Sequence, residues 1–473
     1  VEVSGRYDGN SKFPSNQRWG FFPSASVGWR ISEEPFMAGA KSWLDNLKIR
    51  ASFGSTGNGQ VDNYLFLSKI AIKKNLGFLT GDSPLIYADK PSLIPDGLTW
   101  ETVSTYDLGL DWEMLNGRLS IVADIYRKNT TDMYVVGPEL PAVFGNSAPK
   151  GNYADMRTDG WEASISWRDN FKLGGKDFSY NLKFAIWDNV TKVTKYMATT
   201  NTLPTNYATN YYEGMTLGEL WGYTCNGLFQ SNEEAQTYAD YSKFAQNKIV
   251  WQKGDPKYED LNGDGRIDNG SNRLEDHGDL SIIGNTSPRY CYSLAAGARW
   301  NGIGLSMVWQ GVGRRDWYPA KESGYFWGQY GRPYSIALPW HNDRYTDANQ
   351  NTDAYWPRLI GYTAQGANAI LSQPNTRYLQ KARYVRLKNL TIDYTFPKQM
   401  LTKIGIQNLR IYLSGENLFT IPAEKVRQEL RPREHLRRRL RLFEHARRRR
   451  FGRRRRLSRH AFVQHRFEYH LLI

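Results

Sequence analysis

The sequence predicts an all-β fold, part of a large antiparallel transmembrane β-barrel, and three observations predict it. Apolar and polar residues alternate with period two over segments of about ten residues, the length of one membrane-crossing strand. No run approaches the ~18 consecutive apolar residues of a membrane-spanning helix, so any crossing must be made by strands. Tight turns alternate with long connections, as in a barrel with short turns on one side and long loops on the other. Composition agrees. The 473 residues are 14% aromatic, with 30 Tyr and 16 Trp, yet only 40% hydrophobic, and the mean hydropathy is −0.62. That mix suits half-buried strands better than helices.

Taken in order, the first strand places Leu47, Ile49, Ala51 and Phe53 on one face. The next places Tyr106, Leu108, Leu110 and Trp112 there, and Asn116-Gly117, a tight hairpin signal, leads into Leu119, Ile121, Ala123 and Ile125. Trp161, Ala163, Ile165 and Trp167 form the following apolar face, and Phe178, Tyr180, Leu182, Phe184 and Ile186 the one after. Tyr290 to Trp300 alternates in the same way, Asn301-Gly302 reads as a turn, and Ile303, Leu305, Met307 and Trp309 return. A long polar and aromatic stretch, 311–383, separates these from Leu390, Ile392, Tyr394 and Phe396 and from Leu409, Ile411 and Leu413. Trp112, Trp167, Trp300 and Trp309 end apolar faces, where an interfacial girdle lies in a barrel. A soluble β-sandwich or propeller produces similar alternation and is the alternative reading of periodicity alone.

The formal charge of +15 sits at one end. Residues 424–473 carry seventeen Arg and one Lys against five Glu, whereas residues 1–423 hold 44 basic and 42 acidic side chains. The body is therefore nearly neutral, and the charge gives no reason to expect nucleic acid as its partner. The tail uses Arg almost to the exclusion of Lys and reads as out-of-frame translation or a disordered basic segment, with a nucleic-acid role as the remaining alternative. Cys225 and Cys291 form no disulfide framework and lack metal-ligand spacing. The chain opens at Val1 in a strand-like alternation and reads as a segment of a longer protein.

Six segments in one order carry a resemblance. They are 6–31 (RYDGNSKFPSNQRWGFFPSASVGWRI), 43–58 (WLDNLKIRASFGSTGN), 99–127 (TWETVSTYDLGLDWEMLNGRLSIVADIYR), 152–167 ending in GWEASISW, 255–292 containing DLNGDG and IIGNTSP, and 384–421 from YVRLKNLTIDYTFP to GENLFTI. Together they resemble the SusC/RagA-type TonB-dependent outer-membrane receptors of Bacteroidetes. The resemblance implies a 22-strand barrel around an N-terminal plug, energised by a TonB complex and capped by a SusD-like surface lipoprotein. It also implies that residues 1–423 are barrel wall with long extracellular loops, that the plug domain is absent from this chain, and that the protein sits in the cell outer membrane. The function it implies is active uptake of oligosaccharides or oligopeptides. The alternative is a secreted or surface β-rich module that binds glycans without transport.

Two motifs are candidate sites. Asp260, Asn262, Asp264 and Asp268 supply oxygen side chains at positions 1, 3, 5 and 9 of an EF-hand-like loop, Arg266 stands at position 7, where the ligand is a backbone carbonyl, and Gly265 takes the turn. The ligands are hard oxygens, so calcium is the expected ion. Position 12 is Ser271 where a bidentate Glu belongs, so Glu275 or Asp276 would complete the shell; a metal-free Asx-rich turn is the alternative. The second motif is an aromatic loop with Trp317, Tyr318, Tyr325, Phe326, Trp327, Tyr330, Tyr334 and Trp340. These residues are expected either to line the extracellular mouth and touch ligand or lipoprotein, or to pack on one another and order the loop. Only two histidines, His277 and His341, occur in the body, and no GxSxG, HExxH, Walker or dinucleotide fingerprint is present, so no enzyme is expected.

Overall fold

The computed structural model describes residues 1–422 apart from 74–78, 81–82, 85, 96, 198–201, 205–209, 245–249, 322, 333, 361–363, 365–368 and 403–405, together with the backbone of 462–471. Twelve strands form one sheet: β1 (Glu2–Gly9), β2 (Trp19–Arg30), β3 (Leu44–Asn58), β4 (Glu101–Met114), β5 (Leu119–Val136), β6 (Lys150–Leu173), β7 (Lys176–Tyr196), β8 (Arg289–Trp300), β9 (Ile303–Arg314), β10 (Tyr384–Thr395), β11 (Ile406–Pro422) and β12 (Phe462–Leu471). Sheet order is chain order, an up-and-down antiparallel meander.

Successive strands run in opposite directions, so the connections fall alternately at the two ends of the sheet. One end receives 31–43, 115–118, 174–175, 301–302 and 396–405; the other receives 10–18, 59–100, 137–149, 197–288 and 315–383. The short-turn and long-loop ends are thus separated as expected. Asn301 and Gly302 have φ of 47° and 87°, and Asn116 and Gly117 have 58° and 70°. Only a turn of this hand matches the strand twist, and Asn-Gly adopts it at little cost. Gly174 and Gly175 (59° and 77°) make a third such turn.

The apolar faces meet across the ladder. Ile49 pairs with Leu110, Leu110 with Ala123, Ala123 with Ala163 and Ala163 with Ile186. Leu182 pairs with Ala296, Ala296 with Met307, Met307 with Leu390 and Leu390 with Gly415. The belt is uncovered, with Ile125 59% and Leu182 45% exposed. From Phe178 to Ile186 it spans about 26 Å of strand at ~3.3 Å per residue, enough to cross most of a hydrocarbon layer. Near the short turns, Trp167 Nε1 donates to Tyr180 Oη (2.9 Å) and Trp300 Nε1 donates to the Leu173 carbonyl (3.1 Å), so the polar groups of these two indoles are satisfied beside the belt.

β6 and β7 run 24 and 21 residues, well past the Phe178–Trp187 alternation. Beyond the belt both faces are polar, so the ladder continues without a periodic signal. Of the Arg-rich tail, 424–461 and 472–473 lie outside the described residues, as does residue 423, while β12 pairs with β11 from Ile406↔Leu471 to Glu416↔Phe462.

Candidate functional site

The two longest connections, 197–288 and 315–383, pack on each other at the long-loop end as a cap with one core. Short strand pairs frame it: Glu219–Tyr223 with Leu280–Asn285, and Asp316–Trp317 with Gln380–Lys381. The halves are joined through backbone. Tyr223 N donates to the Pro374 carbonyl (2.9 Å) and Thr376 N donates to the Tyr223 carbonyl (3.0 Å). A side chain at Gly222 would strike the Pro374 carbonyl, so this close approach requires glycine. Tyr258 Oη donates to the Ile370 carbonyl at 2.6 Å, and burial pushes that phenol well above its usual range.

Placement divides the eight aromatic candidates. Tyr318, Phe326, Trp327, Tyr330 and Trp340 are buried in the cap core, whereas Trp317, Tyr325 and Tyr334, 46%, 42% and 73% exposed, present surface. Trp356 organises the cluster, stacking on Tyr330 (5.1 Å, 17°) and Tyr378 (5.2 Å, 20°). Trp327 meets Tyr378 edge-on at 5.3 Å and donates Nε1 to the Ala320 carbonyl (3.1 Å). The five buried rings belong to the cap core, where packing removes large aromatic surface from water. Neither Trp356 nor Tyr378 stands out in the sequence, since their partners lie far along the chain.

His341 is 2% exposed, and both ring nitrogens are committed. Nδ1 accepts from Leu338 N (2.9 Å), and Nε2 donates to the Phe326 carbonyl (2.7 Å), which requires the neutral ring. Burial, with Arg344 nearby, holds its pKa below the usual value. The unfolded chain therefore binds this proton first, so His341 stabilises the cap above pH ~6.5 and loses that contribution as pH falls toward its folded pKa, with a slope of at most about 1.4 kcal/mol per pH unit. Cap melting followed by tryptophan fluorescence is expected to drop between pH 7.5 and 5.5, and His341→Gln to flatten that dependence; equal slopes would refute the assignment.

The Asp-rich loop is turned on itself. Asp260 accepts from Gly263 N (2.7 Å) and Gly265 N (2.9 Å), Asn262 Oδ1 from Asp264 N (3.1 Å), Asp264 from Arg266 N (2.8 Å) and Asp268 from Gly270 N (2.7 Å). Asp276 accepts from Ser271 N (2.8 Å), and that hydroxyl and amide hold its carboxyl below the usual range. Among the described residues, no three His, Cys, Asp or Glu side chains form a group able to hold a metal ion. The sequence reading missed Asp279, 1% exposed, which accepts from Leu261 N (2.8 Å) and Asp268 N (2.9 Å) and closes the loop. Ile267, fully buried, anchors the loop in the cap core.

Two further charged groups were not legible as sites. Asp255, fully buried, accepts from Arg358 Nε (2.7 Å) and Nη2 (3.0 Å), clamping one half of the cap to the other. On the inward face of β3–β5, opposite the belt, Arg50 meets Asp124 (2.6 Å), Asp111 (3.3 Å) and Asp107 (3.4 Å). Charged residues at inward parity are the signal that could have found this second group.

The comparisons with known proteins agree with this geometry. The family described as "TonB dependent receptor-like, beta-barrel" matches residues 1–418. The chain is 28% identical over 426 residues to TonB-dependent receptor P3 of Formosa agariphila, covering 88% of this chain and 39% of that protein. It is 24% identical over 430 residues to TonB-dependent receptor SusC of Bacteroides thetaiotaomicron, covering 89% and 38%. The chain therefore spans about two fifths of the length of these relatives. Among solved structures, the RagAB peptide transporter shares its fold with a TM-score of 0.67 at 22% identity, over 89% of this chain and 42% of that one. With 418 residues matched by the family and twelve strands in its meander, the chain belongs to the TonB-dependent receptor β-barrel family.

Proposed function

We propose that this chain is wall and cap of an active importer that takes up oligosaccharides or oligopeptides, working with a SusD-like surface lipoprotein and energised by a TonB complex. As a member of its family the chain lies in the outer membrane, and the family is one of receptors and transporters, not enzymes. The observation that carries the proposal is the uncovered apolar belt below a folded cap. A soluble glycan-binding module would have to bury that face. The exposed rim aromatics, Trp317 and Tyr325, are the cap residues suited to meet cargo or lipoprotein.

The test is deletion and complementation of the full gene. Deletion is expected to abolish growth on the imported oligomer as sole nutrient, and the protein is expected in the outer-membrane fraction with a boiling-dependent gel shift. A soluble protein without that shift would overturn the reading. Calcium at the loop of Asp260, Asn262, Asp264, Arg266 and Asp268 belongs to the same proposal, as a stiffener of the cap. Its support is the oxygen spacing around Gly265. Calorimetric titration is expected to show saturation by millimolar calcium that Asp264→Asn weakens, and no heat at that concentration would end the assignment.

A further inference from the structure

The outward face of the sheet carries charge as well as the apolar belt. Where the belt ends toward the long loops, β5 continues from Ile125 to Arg127 and Asn129, and β6 from Trp161 to Asp159 and Arg157. Alternation keeps these side chains on the belt's own face. Register sets Arg127 opposite Asp159, and Arg157 between Asn129 and Lys192 of β7. Arg127 Nε donates to Asp159 Oδ1 at 2.6 Å, and Arg157 Nε lies 3.0 Å from Oδ2. Two guanidiniums share one carboxylate, so one positive charge is left unmatched, and the exposed Lys192 adds another. The side chains of Arg127, Arg157 and Asp159 are 54%, 42% and 43% exposed, open to a headgroup beside the wall.

Below these charges the wall is hollow. A cavity of about 720 Å3 on this face has Arg127, Asn129 and Asp159 at its upper end and Tyr106, Leu108, Ile125 and Ala51 beneath them. Ala51, with only a methyl group, sits in register with Leu108 and leaves the floor low. The pocket is thus amphipathic along the strand direction, polar toward the long loops and apolar toward the middle of the belt. The strands β3 to β7 have both neighbours in the sheet, and this face turns away from the lumen, so an element inside the barrel does not reach it.

We propose that this pocket seats a glycolipid whose sugar headgroup carries a phosphomonoester, in the leaflet on the long-loop side. The phosphate lies on Arg127, Arg157 and Lys192, and an acyl chain covers Ala51, Leu108 and Ile125. Charge decides the class. A phosphomonoester carries about −1.5 to −2 near neutral pH and matches the two unpaired positive charges, whereas the phosphodiester of a membrane phospholipid carries about −1. Guanidinium forks meet phosphate oxygens bidentately, and Asp159 already holds both forks, so little side-chain freedom is lost on binding. Asn129 and Ser104, opposite each other in register, offer hydrogen bonds to sugar hydroxyls. A lone arginine at a membrane edge needs no ligand, since its stem can snorkel. One carboxylate clasping two arginines above a hollow apolar floor is more than snorkelling requires. The site faces lipid and not the cargo path, so its failure would leave the uptake reading standing.

The experiment is a binding titration on the intact protein that carries this chain, purified from outer membranes and stripped of lipid in detergent. The probe is a monophosphorylated lipid A, and the control is the same lipid after phosphatase treatment. Wild type is expected to bind the probe saturably and at least about tenfold tighter than the control. Arg127→Gln with Arg157→Gln is expected to erase that preference while the boiling-dependent gel shift persists. No saturable binding by wild type, equal binding of the dephosphorylated lipid, an unchanged preference in the Gln pair, or tighter binding of phosphatidylglycerol than of the probe overturns the proposal. Should the Gln pair not fold, Lys192→Gln decides: a reduced preference for the phosphorylated lipid supports the site, and a wild-type preference overturns it.

Discussion

Arg358→Ala is expected to destabilise the cap by about 3 to 5 kcal/mol, the usual cost of leaving a buried charge without its partner. Asp255 has no exposed surface, and among the described residues its cationic partner is the Arg358 fork, 103 residues away in sequence. Burial already pushes this carboxyl above its usual range, and the guanidinium pulls it back. Removing that guanidinium leaves the Gln252 amide (3.1 Å) as the remaining hydrogen-bond donor to the carboxylate. The measurement is thermal unfolding in detergent by near-ultraviolet circular dichroism, with the boiling-dependent gel shift as a separate readout of the barrel. Cap melting should fall while barrel migration stays. Adding Asp255→Asn should recover part of the loss, since the penalty lies in the orphaned charge. A variant within about 1 kcal/mol of wild type would show that the clamp does not hold the two loops together.

Trp327→Ala is expected to cost a similar amount, about 3 to 5 kcal/mol, because it removes a fully buried indole and leaves a cavity against Phe326, Trp356 and Tyr378. Tyr325→Ala is the contrasting change. Tyr325 is 42% exposed and leans on Trp340 at 4.5 Å, so its loss should cost under about 1 kcal/mol of stability and act, if at all, on uptake or lipoprotein binding. Chemical denaturation separates the two variants. If Trp327→Ala melts like wild type, the buried aromatic cluster is not what orders the cap. If it destabilises the cap but uptake persists, the ring has no direct role at the mouth.

The sequence alone determined the antiparallel strands, the outward face of the nine strands β3 to β11 and the Asn-Gly turns. All three are local: period two decides which side chain faces the belt, and a two-residue turn of positive φ decides the hairpin. The continuation of β6 and β7 above the belt was not legible, because a ladder with two polar faces carries no alternation. Tertiary structure decided the fate of the loop residues. Whether Trp327 faces the mouth or the core depends on Trp356 and Tyr378, and whether Asp255 is a surface charge or a clamp depends on Arg358. Neither pairing has a local signature, since each arises only when two long connections fold against each other. The Asp-rich loop shows the same division. Its spacing announced an EF-hand-like loop or a tight Asx turn, but the carboxylate that closes it, Asp279, reaches Leu261 N from 18 residues away. The outward basic residues were visible as charges on strands, and only the sheet register brought Arg127 beside Asp159 and Lys192 beside Arg157.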